Sequence, residues 1–174
     1  DNLLFREADI ALRMFRPTQL EMITKKLGVF RLGFYASESY VARRGLPQTV
    51  DELKSHDLLG YDRSERIIRG AAALGWTLTR SDFVVRCDQQ AIHGEMIRNG
   101  CGVGILQCDV ARKMGLIPIM PDFPMPGLEL WLTTHEALRY TPRVSAVWKQ
   151  LERGLAPWLS HDDGITILNR RGPA

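Results

Sequence analysis

The stretch "IRNGCGVGILQ", residues 97–107, decides how the second half of the chain folds. Its glycines Gly100, Gly102 and Gly104 either hold a phosphate group or act as turn residues. In a dinucleotide-binding loop the glycines follow a strand and open a helix, so that the helix N-terminus faces the pyrophosphate. Here the order is reversed, because a helical pattern over 88–99 precedes the glycines and an apolar strand follows. The stretch therefore predicts a helix that ends at Gly100, where a left-handed backbone favours glycine, and no phosphate cradle.

Strand and helix signals alternate along the rest of the chain. Short apolar or β-branched runs predict strands at 8–14, 30–37, 57–62, 82–87 and 103–107. Capping residues and spaced apolar positions predict helices at 38–44, 49–56, 65–74, 88–99 and 142–155. This alternation is typical of a largely parallel α/β sheet, in which the strand at 8–14 is covered on both faces.

One segment, "TQLEMITKKLG" over 18–28, supports two structures. Its Thr-x-x-Glu spacing is a capping box and predicts a helix. The apolar residues before Gly28 and those after it equally predict a hairpin of 22–27 with 30–36. Local propensity leaves both alternatives open.

Composition excludes several classes of protein. The 174 residues are 45% hydrophobic and 25% charged, which is the balance of a globular protein, and the net charge of +3 is too small for a nucleic-acid-binding face. No apolar run reaches the roughly 20 residues that span a bilayer. The three cysteines, Cys87, Cys101 and Cys108, lack paired spacing and indicate free thiols in a reducing cytoplasm.

Catalytic and metal-binding patterns are also lacking. The histidines His56, His93, His135 and His161 are scattered, without a zinc-type or nucleophile-elbow context around them. We therefore expect no enzyme, no metal and no cofactor. Cys101 and Cys108 are expected to be structural thiols.

Four segments together resemble one known family. They are "READIALRM" (6–14), "LGVFRLGFYASESYVARRGLPQTVDELKSHDLLGYD" (27–62), "HGEMIRNGCGVGILQ" (93–107) and "LELWLTTHEALRYTPRVSAVWKQLERGL" (128–155). Their order and spacing resemble the effector-binding domain of LysR-type transcriptional regulators over about residues 3–157. The family's N-terminal winged helix-turn-helix, its linker helix and the first strand-helix-strand of the effector domain have no counterpart here.

The resemblance implies an α/β fold of the two-lobed type 2 periplasmic-binding-protein kind, with two crossover strands. Lobe one is expected at 1–35 and 107–160, lobe two at 36–106 and a tail at 161–174. The crossings are expected near 35–37 and 105–107. The resemblance also favours the hairpin over the helix at 18–28.

The implied function is that of a ligand-sensing domain in a cytoplasmic regulator. A small molecule bound between the lobes controls DNA binding or transcription by the full-length protein, which contacts DNA only through its N-terminal domain and forms a homodimer or tetramer. A solute-binding protein of the same fold is the alternative, and the free cysteines disfavour it.

Polar residues at strand ends and helix starts are the candidate ligand contacts. Arg13 ends the first strand, and Ser37 begins a helix and is expected to cap it. Asp88 is expected to cap the 88–99 helix, which leaves Gln89 and Gln90 as the better contacts. The sixth candidate is Gln107, which with Cys108 stands where the family commonly has Leu-Pro. The set predicts a preference for a small ligand with carboxylate or carbonyl oxygens.

Overall fold

Strands and helices alternate in the computed structural model of the chain, which describes residues 8–17 and 22–160. The strands are β1 (Ile10–Arg13), β2 (Met22–Phe30), β3 (Leu32–Ala36), β4 (Leu58–Gly60), β5 (Phe83–Arg86), β6 (Gly104–Gln107), β7 (Ile117–Ile119) and β8 (Leu128–His135). The α-helices are α1 (Glu38–Arg44), α2 (Val50–Lys54), α3 (Arg66–Ala73), α4 (Gln90–Arg98), α5 (Cys108–Lys113) and α6 (Pro142–Leu155). In this part of the chain, no helix has the length and apolar character that crossing a membrane requires.

The first of two compact units contains the described residues up to Arg31 and those from Pro126 onward. Its sheet has the antiparallel order β1-β8-β2, and α6 buries Val144 and Trp148. The predicted strand at 8–14 is confirmed as β1. Among the described strands it lies at the edge of its sheet, and Leu12 is 43% exposed, so the expectation that it is buried on both faces is wrong.

The second unit, Leu32–Met125, contains a three-stranded sheet of order β6-β3-β7 and the pair β4-β5. Its larger apolar core joins β3 to the helices that follow it and includes the fully buried Tyr40 and Leu53. A second core, with the fully buried Ile97 at its centre, lies between α4, α5 and the sheet. These two cores fix the starts of α1 and α4, where most of the predicted ligand contacts lie.

Two expectations about strand pairing are wrong. Residues 22–30 do form a strand, but β2 pairs with β8 and not with β3, so there is no hairpin. A strand about a hundred residues away supplies a longer ladder than the local turn can. The sheets are also mainly antiparallel, and among the named strands described only β4 and β5 pair in parallel.

The two compact units divide the chain at 31/32 and 125/126. Within the second unit β3 pairs on both sides, with β6 and with β7. The lobes at 1–35 with 107–160 and at 36–106, and the crossings near 35–37 and 105–107, stay predictions. The tail at 161–174 falls outside the described residues.

The glycine stretch folds as a turn, as predicted. Gly100 follows the end of α4 with φ +78°, the left-handed conformation that ends many helices. A Cβ built on Gly102 would overlap the backbone oxygen of Asp57, and one on Gly104 would lie 2.5 Å from Ile97 Cδ1. The later two glycines therefore allow close packing of backbone on backbone and of helix on strand.

Candidate functional site

Arg13 is the one predicted contact in the first unit. It is the last residue of β1, in register with Trp131 of β8. Its guanidinium lies 5.7 Å from the centroid of the Phe15 ring. Because the other five predicted residues belong to the second unit, the role of Arg13 in binding stays a prediction.

Ser37 caps α1, as the sequence predicted. Its hydroxyl oxygen accepts a hydrogen bond from the backbone N–H of Tyr40 at 3.2 Å and lies 3.0 Å from the hydroxyl of Ser39. Gly100 packs directly against this cap, since a Cβ at that position would lie 2.9 Å from Ser39 Oγ and 3.2 Å from Ser37 Oγ. Ser37 is 7% exposed, so its hydroxyl serves the helix start.

Asp88 does not cap α4, and that expectation is wrong. Its carboxylate accepts hydrogen bonds from three consecutive backbone N–H groups, those of Asp62 at 3.1 Å, Arg63 at 3.0 Å and Ser64 at 3.4 Å. The hydrogen bond from Arg63 is the main reason why the pKa of Asp88 is lowered from its usual value of 3.8. A loop 24–26 residues earlier thus takes the carboxylate that the sequence assigned to the helix.

The N-cap position of α4 is occupied by Gln89, which makes no side-chain capping bond. Its carbonyl accepts from the backbone N–H of His93 at 2.8 Å. The first N–H groups of a helix have no partner within the helix and carry its positive dipole end. Among the described residues, the N-cap side chain therefore does not occupy the amides that begin α4.

Gln90, the first residue of α4, donates through Nε2 to the hydroxyl of Tyr61 at 2.8 Å. Both partners lie at the protein surface, with Gln90 exposed and Tyr61 half-buried. The contact joins α4 to the residue that directly follows β4. Tyr61 was not among the predicted contacts, because it lies inside the strand predicted at 57–62, whereas the observed β4 ends one residue before it.

His93 is a second residue that sequence reasoning missed. It is fully buried, and among the described residues neither of its ring nitrogens has a hydrogen-bond partner. Burial lowers the pKa of His93 from its usual value of 6.5, which favours the neutral imidazole. The Tyr61 ring lies 5.3 Å from the His93 ring, centroid to centroid. A helical spacing of three from Gln90 places His93 beside the same tyrosine.

Gln107 ends β6 and precedes α5. It pairs in register with Leu32 of β3, and its side chain makes no capping bond to α5. It is half-buried, which leaves a polar amide at a strand-helix junction of the second unit.

We call the residues around the start of α4 the α4 cluster: Tyr61, Asp88, Gln89, Gln90 and His93. The cluster offers mainly donors: the backbone amides of the first turn, the Gln90 amide and the Tyr61 hydroxyl. Its one carboxylate, on Asp88, is already bonded to the loop at 62–64. In the described part of the chain, no group of three or more His, Cys, Asp or Glu side chains could hold a metal ion. The arrangement suits an acceptor oxygen.

A shallow cavity of about 630 Å³ lies at β5 of the same unit. It is lined by Asp62, Arg80, Ser81, Phe83, Val84, Val85 and Arg86. Its two guanidinium groups face carboxylates, with Arg86 Nε 3.5 Å from Asp62 Oδ1 and Arg80 Nη2 3.7 Å from Glu65 Oε1. Because these charges are compensated, the α4 cluster is the better candidate for a site.

Comparison with known proteins gives a consistent family. The model of the family described as "LysR substrate binding domain" matches residues 1–156. An uncharacterized HTH-type transcriptional regulator of Haemophilus influenzae is 35% identical over 141 residues, which are 74% of this chain and 47% of that protein. The HTH-type transcriptional regulator CrgA of Neisseria meningitidis is 28% identical over 130 residues, 70% of this chain and 42% of that protein. The chain thus spans less than half the length of these relatives.

Solved structures agree on the fold. The regulatory domain of CrgA superposes with a TM-score of 0.76 at 23% identity, covering 88% of this chain and 78% of that domain. The effector domain of AmpR from Pseudomonas aeruginosa superposes with a TM-score of 0.65 at 21% identity, covering 90% of this chain and 76% of that domain. These likenesses confirm the expected α/β fold of the type 2 periplasmic-binding-protein kind. With the family match over most of its length, the chain belongs to the LysR substrate-binding domain family, the effector-binding domain of transcription regulators.

Proposed function

We propose that the chain senses a small molecule with carboxylate or carbonyl oxygens, which it binds at the start of α4, and that the longer regulator responds by changing its hold on DNA. The family match supports the sensing role. The observation that carries the ligand class is the first turn of α4, which has no side-chain cap. Helix N-termini of this kind attract acceptor and anionic groups.

The chemistry of the α4 cluster supports an oxygen ligand. The exposed side chain of Gln89 and the Gln90 amide lie at the first turn of α4 and add further donors. Asp88 is a positioning residue in this proposal, since its carboxylate holds the loop at 62–64 and so fixes the residues that follow Tyr61. A ligand carboxylate then meets donors at the helix start and no competing cap.

The names of the relatives support the partners that we propose for the whole protein. We propose that DNA is bound through an HTH domain of the longer protein, as the names of the curated relatives imply for those proteins. The proposal includes a homodimer or tetramer, a cytoplasmic location, no catalytic reaction and no cofactor. Ligand binding acts by favouring one of two arrangements of the regulator, to the extent that it binds that arrangement better.

Arg13 and Gln107 remain proposed contacts for ligand oxygens, while the Ser37 hydroxyl is engaged by its own helix. If Arg13 binds a ligand oxygen, Arg13→Ala weakens affinity about tenfold to a hundredfold, the range for a hydrogen bond to a charged group. Arg16→Ala is the matched control, because Arg16 lies nearby and stacks at 5.7 Å on Trp131. Isothermal titration of both variants measures the effect. Equal affinities in the two variants would remove Arg13 from the site.

A thermal-shift screen tests the proposal. The panel contains small carboxylates, amides and amines of matched size, and a binder raises the melting temperature in proportion to the logarithm of its concentration over Kd. We expect carboxylates or carbonyl compounds to raise it and amines to have no effect. Gln89→Asp supplies a carboxylate cap to α4 and is expected to abolish the response. A preference for amines, or an unchanged response in Gln89→Asp, would contradict the ligand class and the site.

A further inference from the structure

The His93 side chain is an anomaly in the second unit. Buried polar atoms in folded proteins are nearly always hydrogen-bonded, and an exception points to a function or to strain. Both ring nitrogens of His93 lack a partner among the described residues, although the residue is fully buried. A purely structural role at this position is filled more stably by an apolar side chain of similar size.

Backbone and apolar groups close one side of the imidazole. A Cβ built on Gly104 would lie 2.9 Å from His93 Nε2, so the ring packs against the glycine backbone of β6. The Ile97 side chain, one turn along α4, fills the adjacent space. This side belongs to the packed interior, because Gly104 and Ile97 are both buried.

The Tyr61 ring covers another side. The two ring centroids are 5.3 Å apart and the planes are inclined by 40°. Tyr61 is half-buried, and the described contact that holds its hydroxyl is the 2.8 Å hydrogen bond from exposed Gln90 Nε2. A single surface hydrogen bond between neutral groups is weak, because water replaces it readily. Of the two sides described, the side closed by the Tyr61 ring is therefore the one that opens more easily.

We propose that Tyr61 is a removable cover over His93, held shut by the Gln90 amide, and that its displacement presents the imidazole to a hydroxyl or carbonyl group of the bound small molecule. This inference rests on the proposed function, since Gln90 belongs to the helix start at which the ligand carboxylate binds. Competition for the Gln90 amide by a ligand oxygen is the event that releases Tyr61. The orphaned ring nitrogens then gain the partner that they lack in the closed form.

The state of the imidazole sets the chemical class of the ligand. Burial favours the neutral ring, which has one donor and one acceptor nitrogen. Such a ring suits a hydroxyl or carbonyl group better than a second carboxylate. The ligand class is therefore a small acid that carries a hydroxyl or oxo group beside its carboxylate.

Chemical modification of the 174-residue chain tests the cover without any effector. Diethyl pyrocarbonate modifies accessible neutral imidazoles, and peptide mass spectrometry reports the rate at His93 relative to His56. We expect Gln90→Ala and Tyr61→Phe to raise this ratio about threefold to tenfold, the factor that one neutral hydrogen bond contributes to an opening equilibrium. Tyr61→Ala, which removes the ring, is expected to raise it further.

Gln89→Ala is the matched control, because Gln89 is also exposed at the helix start but its side chain makes no capping bond. It is expected to leave the ratio unchanged. A variant that merely loosens the fold raises the rates at His56 and His93 together, so the ratio separates the two effects. Equal ratios in wild type, Gln90→Ala and Tyr61→Phe would overturn the cover.

Glycolate, which carries a carboxylate and a hydroxyl group, is the probe for recognition. At millimolar concentration it is expected to slow the modification of His93 in Tyr61→Ala and to leave His56 unaffected. Absence of protection would overturn the role of His93 in binding. Because the accessibility series uses no ligand, its failure is distinguishable from failure of the proposed function, which the ligand panel decides.

Discussion

The starts of α1 and α4 lie in the same unit and are built differently. At α1 the buried hydroxyl of Ser37 accepts the Tyr40 amide at 3.2 Å. At α4 the N-cap residue Gln89 makes no such bond, and the nearby carboxylate of Asp88 is bonded to a loop instead. The start of α1 is capped by its own N-cap side chain, whereas the start of α4 has no such cap and offers its backbone N–H groups to another molecule. The difference indicates which of the two helices is the binding element.

The buried polar residues of the two helices repeat the contrast. The Tyr40 hydroxyl lies 3.2 Å from His56 Nδ1 and accepts the Asp57 amide at 2.9 Å. His93 has no such partner among the described residues. Burial raises the pKa of Tyr40 and lowers that of His93, so both side chains are held neutral. A hydrogen-bonded polar group stabilises its helix. A buried polar group without a partner lowers the stability of the fold, and its presence points to a role other than folding.

The largest expected effect comes from Gly100, which ends α4 and packs against the cap of α1. Gly100→Ala combines a left-handed backbone with a contact of 2.9 Å to Ser39 Oγ, and should lower the free energy of unfolding by about 2–4 kcal/mol. The control is Gly75→Ala, with φ +76° and no atom within 4 Å. It should lose only the backbone component, about 1–2 kcal/mol. Urea unfolding measures both, and equal losses would contradict the contact with the α1 cap.

Replacing each N-cap residue with alanine tests the same comparison through a smaller change in the free energy of unfolding. Ser37→Ala removes a side-chain cap and should lower the free energy of unfolding by about 1 kcal/mol. Gln89→Ala removes none and should change it by less than about 0.5 kcal/mol. Denaturation midpoints of the two variants, measured side by side, check this. A larger loss for Gln89→Ala would show that α4 is capped after all.

The smallest effect near neutral pH is the proton linkage of His93. Its folded pKa is lowered from 6.5, so below that pH the unfolded chain binds a proton that the folded chain resists. Stability is therefore unaffected well above pH 6.5 and falls as the pH drops from 6.5 toward the folded pKa. In His93→Gln this part of the fall should disappear. Urea midpoints between neutral and mildly acidic pH measure it, and identical slopes in both proteins would show that His93 is not the titrating group.

What the sequence predicted correctly was local. The Gly100 turn and the Ser37 cap depend on residues within one helical turn, and both are confirmed. The errors came from distant partners: β8 replaces the expected hairpin partner of β2, and the loop at 62–64 takes the carboxylate of Asp88. Competition between a local and a distant partner is decided by tertiary packing, which spacing alone does not report.

Tyr61 and His93 were missed at the site because their roles also depend on distant residues. Tyr61 and Gln90 are 29 positions apart, and only the packing of α4 beside the end of β4 brings them within hydrogen-bond distance. His93 had the spacing of an ordinary core residue, and its significance arises from the absence of a partner among the described residues. Such an absence has no signature in sequence.

The central claim is that backbone N–H groups at the start of α4 bind the ligand, and one pair of variants tests it most directly. Proline is tolerated at the first position of a helix and removes one N–H group, and the extended backbone of Gln89, φ −82° and ψ 106°, suits the residue before it. Gln90→Pro and Gln90→Ala both lose the amide side chain, but only the former loses the backbone donor. We expect the best carboxylate of the ligand panel to bind Gln90→Pro about tenfold or more weakly than Gln90→Ala, by isothermal titration, as for a hydrogen bond to a charged group. Equal affinities, with both variants folded, would contradict the claim.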